Sequence, residues 1–112
     1  MKKIEIIIKP ERLDDLMRSL EEFGIHGLMV SNVMGYGKQK GYTSLYRGIV
    51  YNVNLLPKIK VQTVMPEGRI ERLLTRIQKE INTGMYGDGK IFVYDVVDAV
   101  RIRTGERGEE AL

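Results

Sequence analysis

Cysteine and tryptophan are absent from this chain, histidine occurs once and proline three times. Without cysteine there are no disulfides and no thiolate metal sites. No run of about 18 apolar residues occurs, which removes a helical membrane span. An alternating segment follows Met1-Lys2-Lys3 directly, with no signal-peptide pattern, so a cytoplasmic location is expected. A net charge of +3 is too small, and too evenly spread, to make nucleic acid the main partner. Paired carboxylates, an activated serine and a metal-binding helix are all lacking, so the expectation is binding without catalysis, not an enzyme. His26, beside Gly27, reads as a surface residue between a helix and a strand. The most informative absence is local. No Asp or Glu lies between Glu22 and Glu67, whereas Lys38, Lys40, Arg47, Lys58 and Lys60 all fall in that gap. Such a segment presents a positive face to whatever it meets.

At 112 residues the chain is read as a single domain, 1–112. Lys2 to Lys9 predicts a strand that Pro10 ends. Glu11 to Phe23 then carries Leu13, Leu16, Met17, Leu20 and Phe23 on one helical face, and Gly24 stops the helix. Gly27 to Tyr36 is a second strand, Lys58 to Met65 a third, and about Gly68 to Asn82 a second helix. Leu13, Leu16, Met17 and Leu20 recur as Ile70, Leu73, Leu74 and Ile77 at one constant offset. Two copies of a strand–helix–strand unit follow, giving an α+β, ferredoxin-like βαββαβ sandwich with helices on one sheet face. Lys90 to Asp95 and Ala99 to Arg103 supply the last strand material. Ile6, Ile8, Val61 and Val93 are expected not to point at the helices together. A sheet that is apolar on both faces and covered on one implies a homo-oligomer, most simply a cyclic ring with ligand clefts between subunits.

Three glycine–cation segments carry the chemistry. The stretch 35–58 is expected to be a mobile, partner-touching loop whose base helps to build an anion site, with Tyr42, Tyr46 and Tyr51 exposed on it. It opens with Gly35, Gly37, Lys38, Gln39, Lys40 and Gly41. The turn 83–90, with Gly84, Gly87, Gly89 and Lys90, lets backbone amides approach an oxyanion, although it does not fit the Walker pattern. Taken alone, it reads more readily as a plain helix-to-strand turn with an incidental lysine. Arg101 and Arg103 alternate onto one strand face, suited to gripping phosphate or to a solvated edge. Together the three segments point to a polyphosphate nucleotide.

The stretches KKIEIIIKP, GYGKQKGYTSLYRG, LPKIKV, TGMYGDGKIFVYDV and RIRTGERGEEAL resemble the PII signal-transduction proteins of nitrogen regulation, of the GlnB/GlnK type. The resemblance implies a cyclic homotrimer with nucleotide sites in the lateral clefts. ATP and ADP would compete there, with 2-oxoglutarate joining ATP and Mg²⁺. Nucleotide-lining positions would be Ile7, Met29, Gly35, Gly37, Lys38, Gln39, Val64, Gly87, Asp88, Gly89 and Lys90, with Arg101 and Arg103 supplied by the neighbouring subunit. Gln39, Lys40, Gly41, Lys58 and Gly87 would meet 2-oxoglutarate, Lys58 at its distal carboxylate, and Gln39 would also ligate Mg²⁺. Tyr42, Tyr46, Arg47, Ile49, Val50 and Tyr51 would form the partner-binding part of the loop. The implied partner is an ammonium transporter or a metabolic or regulatory enzyme, the former attaching the protein reversibly to membranes. Tyr51 is the candidate for modification. The chain departs from the family pattern at Met29 and Gln62, usually threonine and glutamate, and at the loop positions Ser44, Ile49, Val50 and Asn54. A trimeric sensor of a different nucleotide or anion, regulating another partner, is the alternative.

Overall fold

The computed structural model describes residues 1–36, 42–46, 49–53 and 55–112, the two middle stretches by their backbone alone. Strand β1 (Lys2–Ile8) leads through a 3-10 turn (Pro10–Arg12) into helix α1 (Leu13–Phe23), and β2 (Met29–Tyr36) follows. Strands β3 (Tyr42–Tyr46) and β4 (Ile49–Val53) pair with each other as a separate two-stranded sheet. The stretch expected as one long loop therefore contains a hairpin. Strand β5 (Leu55–Met65), a 3-10 turn (Glu67–Arg69), helix α2 (Ile70–Ile81) and strand β6 (Lys90–Asp95) complete the second half. The main sheet has the order β2-β5-β1-β6 with every neighbouring pair antiparallel, the expected βαββαβ arrangement.

The repeat seen in the sequence is a repeat in space. Leu16 and Leu20 of α1 and their counterparts Leu73 and Ile77 of α2 are all buried, against Ile4, Ile6 and Ile8 of β1 and Val61 of β5. Apolar residues three and four apart form one helical stripe, and burying each such side chain contributes about 1.5–3 kcal/mol. Gly24 adopts φ 100°, and its amide bonds the carbonyls of Leu20 and Glu21 at 3.1 and 3.0 Å, so the helix stops where the sequence suggested. The Arg69 guanidinium donates to the Phe23 carbonyl at 2.6 Å and lies over the Phe23 ring, fixing the end of α1 to the start of α2.

Two expectations are corrected. Ile6, Ile8, Val61 and Val93 do share the helix-covered face. Ile6 pairs with Val61, and Ile4 with Val93, and residues opposite one another in an antiparallel ladder point the same way. The other face instead carries Lys3, Glu5, Ile7, Lys60, Gln62, Val64, Phe92 and Tyr94, with Met29 and Val33 from β2. At its centre Glu5 accepts the Gln62 amide at 3.0 Å and lies 3.9 Å from both Lys3 and Lys60. Second, Ala99 to Arg103 is not a strand. A single bridge joins Val100 to Arg107, and the amides of Arg101 and Gly105 bond the carbonyls of Glu106 and Arg101 in a tight turn. Asp98 closes this turn by accepting from Arg107, from the Ala99 amide at 2.8 Å and from the Gly108 amide at 3.2 Å. Arg101 and Arg103 therefore do not alternate along a strand face. Among the described residues no helix is long and apolar enough to cross a membrane.

Candidate functional site

The site grows from one end of the uncovered sheet face. Gly35, in β2, stands opposite Leu56, and a Cβ there would come within 3.0 Å of Lys58 Cγ. The missing side chain leaves room for the Lys58 stem to cross the sheet. Its ammonium, 9% exposed as a residue, donates to the carbonyl of Gly87 at 3.3 Å. Burial above all, and then the charge of Lys9, pull the Lys58 pKa below the usual lysine value, with Glu11 acting the other way.

Gly89 is required by its surroundings. It has φ +115°, and a Cβ would fall 1.8 Å from the carbonyl oxygen of Ile7. The turn after α2 is thereby pressed against β1, and Lys90 enters the ladder opposite Ile7. The Asp88 carboxylate turns back into the turn, accepting the amides of Thr83 and Gly84 at 2.7 and 3.0 Å and the Thr83 hydroxyl. The hydroxyl above all, then the two amides, hold its carboxyl below the usual range. Among the described residues, no hydrogen bond takes up the amides of Tyr86, Gly87 or Gly89. Glycine-rich backbone of this kind, next to two lysines, can accept an oxyanion.

The structure thus brings Ile7, Gly35, Lys58, Gly87, Asp88, Gly89 and Lys90 together. Met29 and Val64 lie elsewhere on the same face. Lys60 pairs with Ile7, and Val64, four residues further along β5, is about 13 Å away at the rise of a strand. Met29 stands beside it, opposite Gln62 and 68% exposed. The C-terminal segment leaves the sheet at that distant end, where the Val96 amide bonds the Met1 carbonyl. Arg101 is there paired with Glu106 at 3.1 Å and donates to the Leu112 carbonyl at 3.1 Å. The chain therefore holds these residues in two separate groups. Gly37, Lys38, Gln39, Lys40, Gly41 and Arg47 lie outside the described residues, and so do the side chains of Tyr42, Tyr46, Ile49, Val50 and Tyr51. Sequence reading missed Thr83, although a threonine five residues before an aspartate across a glycine-rich turn is the available signal.

Residues 1–106 match the family described as nitrogen regulatory protein P-II. The chain belongs to this family. Curated P-II relatives align over all of both chains: the nitrogen regulatory protein P-II of Rhodospirillum rubrum at 51% identity and P-II 1 of Escherichia coli K12 at 49%. The solved structure of B. subtilis GlnK, 38% identical, superposes with a TM-score of 0.80 over 99% of this chain and 97% of that one. The P-II family is one of regulatory proteins, and the fold of this chain is that of the GlnK structure.

Proposed function

We propose that this P-II protein is a cytoplasmic sensor that binds ATP or ADP competitively and 2-oxoglutarate together with Mg-ATP. The observation that carries the reading is the Lys58 ammonium, held over Gly35 against the Gly87 carbonyl, beside the glycine turn and Lys90. Phosphate oxygens would lie against Gly87, Gly89 and Lys90, and the distal carboxylate of 2-oxoglutarate would take the Lys58 ammonium. Among the described residues no three His, Asp or Glu side chains cluster, so Mg²⁺ would draw its oxygens from the ligands and Gln39, as suits a hard ion carried by phosphates. Gln39 lies at the root of the 35–58 stretch, so its recruitment would couple the ligands to the partner-binding residues, through which an ammonium transporter or a metabolic enzyme is gripped.

A homotrimer would suit this reading in two ways. The uncovered sheet face keeps Met29, Phe92 and Tyr94 exposed, Val100 of the C-terminal segment is exposed too, and Val97 and Ile102 are more exposed still. A neighbour's Arg101 and Arg103 could then complete the half-site that Lys58 and Lys90 begin. Calorimetry with ATP and ADP, with and without Mg²⁺ and 2-oxoglutarate, tests it: the oxoacid should bind only with Mg-ATP, and Lys58→Ala should abolish its binding while leaving ADP nearly unchanged. Equal losses of both ligands would contradict the assignment. A sensor of another nucleotide is the second reading, favoured by exposed Met29 and by the commitment of Gln62 to Glu5. Tighter binding of a nucleotide other than ATP or ADP would select it.

A further inference from the structure

Asp88 sits within a motif that would hold phosphate, yet a carboxylate repels phosphate. Its geometry resolves the conflict. All of its hydrogen bonds in the turn run backward, to the amide and hydroxyl of Thr83 and the amide of Gly84. The Thr83 hydroxyl oxygen in turn accepts the Met85 amide at 3.3 Å, and the Asn82 side-chain oxygen accepts the Gly84 amide at 2.7 Å. Asp88 also lines a cavity of about 460 Å³ with Leu74, Ile77 and Ile81 of α2 and with Ile7, Gly89 and Lys90 at the end of the sheet. The Gly87 carbonyl, one residue earlier, accepts from Lys58 at 3.3 Å.

We infer that Thr83 and Asp88 are positioning residues, a clasp that shapes the 83–90 turn for a polyphosphate without touching it. The inference rests on the nucleotide reading above and adds the residues that set phosphate affinity. With its charge met by three donors from Thr83 and Gly84, Asp88 ties the first residues of the turn to the last. Gly87 and Gly89, at φ 89° and 115°, are then held in left-handed conformations before any ligand arrives. Such preorganisation removes an ordering cost from binding. Thr83 is essential to the clasp because it supplies two of the three donors to the carboxylate.

The test is ADP calorimetry on the full chain, as wild type, Thr83→Val, Thr83→Ser, Asp88→Asn and the Val/Asn double variant, with urea unfolding to confirm folding. Thr83→Val keeps the shape and loses the hydroxyl, and should weaken ADP about tenfold, the fold-change of one lost hydrogen bond. Thr83→Ser should bind within about twofold of wild type, because the hydroxyl is restored. Residues acting as one unit are not additive, so the double variant should be no more than about twofold worse than Asp88→Asn. Thr83→Val binding ADP like wild type, or losses that multiply to about a hundredfold in the double variant, would overturn the clasp. Wild type failing to bind ADP would instead remove the nucleotide reading, and the clasp with it.

Discussion

Gly89→Ala is expected to be far more damaging than its exposure suggests, and Gly84→Ala provides the internal standard. Both glycines have positive φ, +115° and +78°. A non-glycine residue in left-handed backbone costs about 1–2 kcal/mol, while replacing glycine stabilises by about 0.4–1 kcal/mol through the unfolded chain. At Gly84 nothing lies within 4 Å of the added carbon, so these terms nearly cancel and a net loss of about 1 kcal/mol or less is expected. At Gly89 the same carbon would fall 1.8 Å from the Ile7 carbonyl oxygen and 2.9 Å from its carbon, both backbone atoms that no rotamer change can move. Relief requires β6 to shift from β1, which breaks the Ile7–Lys90 pairing at about 1 kcal/mol per hydrogen bond. The strain and the lost pairing together come to about 3 kcal/mol, a large share of the roughly 5–15 kcal/mol that stabilises a domain. Urea unfolding at one fixed protein concentration, with m-values compared, measures both variants. If the two lose the same stability within about 0.5 kcal/mol, the close approach of the turn to β1 is not what holds this end of the sheet.

Other expectations follow from the same geometry. Leu73→Ala empties a fully buried position under β1 and should cost about 2–5 kcal/mol, read from the urea midpoint at unchanged m. Asp98 has its carboxyl held below the usual range, by the Arg107 guanidinium first and then by the Ala99 amide. A group depressed on folding contributes stability above its unfolded pKa and loses it as pH falls through the folded value. Asp98→Asn should therefore lower stability near neutrality and flatten the acid limb of a midpoint-against-pH curve; an unaltered acid limb would contradict the pairing. Arg69→Ala should cost about 1–2 kcal/mol through the lost bond to the Phe23 carbonyl and the ring contact, and a variant as stable as wild type would deny that link.

The helices were legible because a stripe three and four residues apart needs no knowledge of its partner, and Gly24 marked its own cap. Strand ends were less so. Sequence reading begins the third main strand at Lys58, just after Pro57, yet β5 begins at Leu55 and includes Pro57. Pairing explains it: β1 meets β5 only from Ile59 onward, so Pro57 has β2 on one side and no strand on the other, where proline is tolerated. Arg101 and Arg103 alternate like strand residues, but Gly105 and Gly108 at φ 77° and 68°, with Asp98 between the arms, turn the chain back.

The amino-acid order alone determined the two repeated halves, their helical stripes and the glycine–lysine segments, because each is a periodicity or a conformational allowance that acts within a few residues. Tertiary structure alone decided that Ile6, Ile8, Val61 and Val93 share one face, that Lys58 reaches Gly87 while Val64 and Arg101 lie at the far end, and that Asp88 turns toward Thr83. Those outcomes depend on strand register and on the packing of a turn against a neighbouring backbone, and both are set by burial across distant parts of the chain.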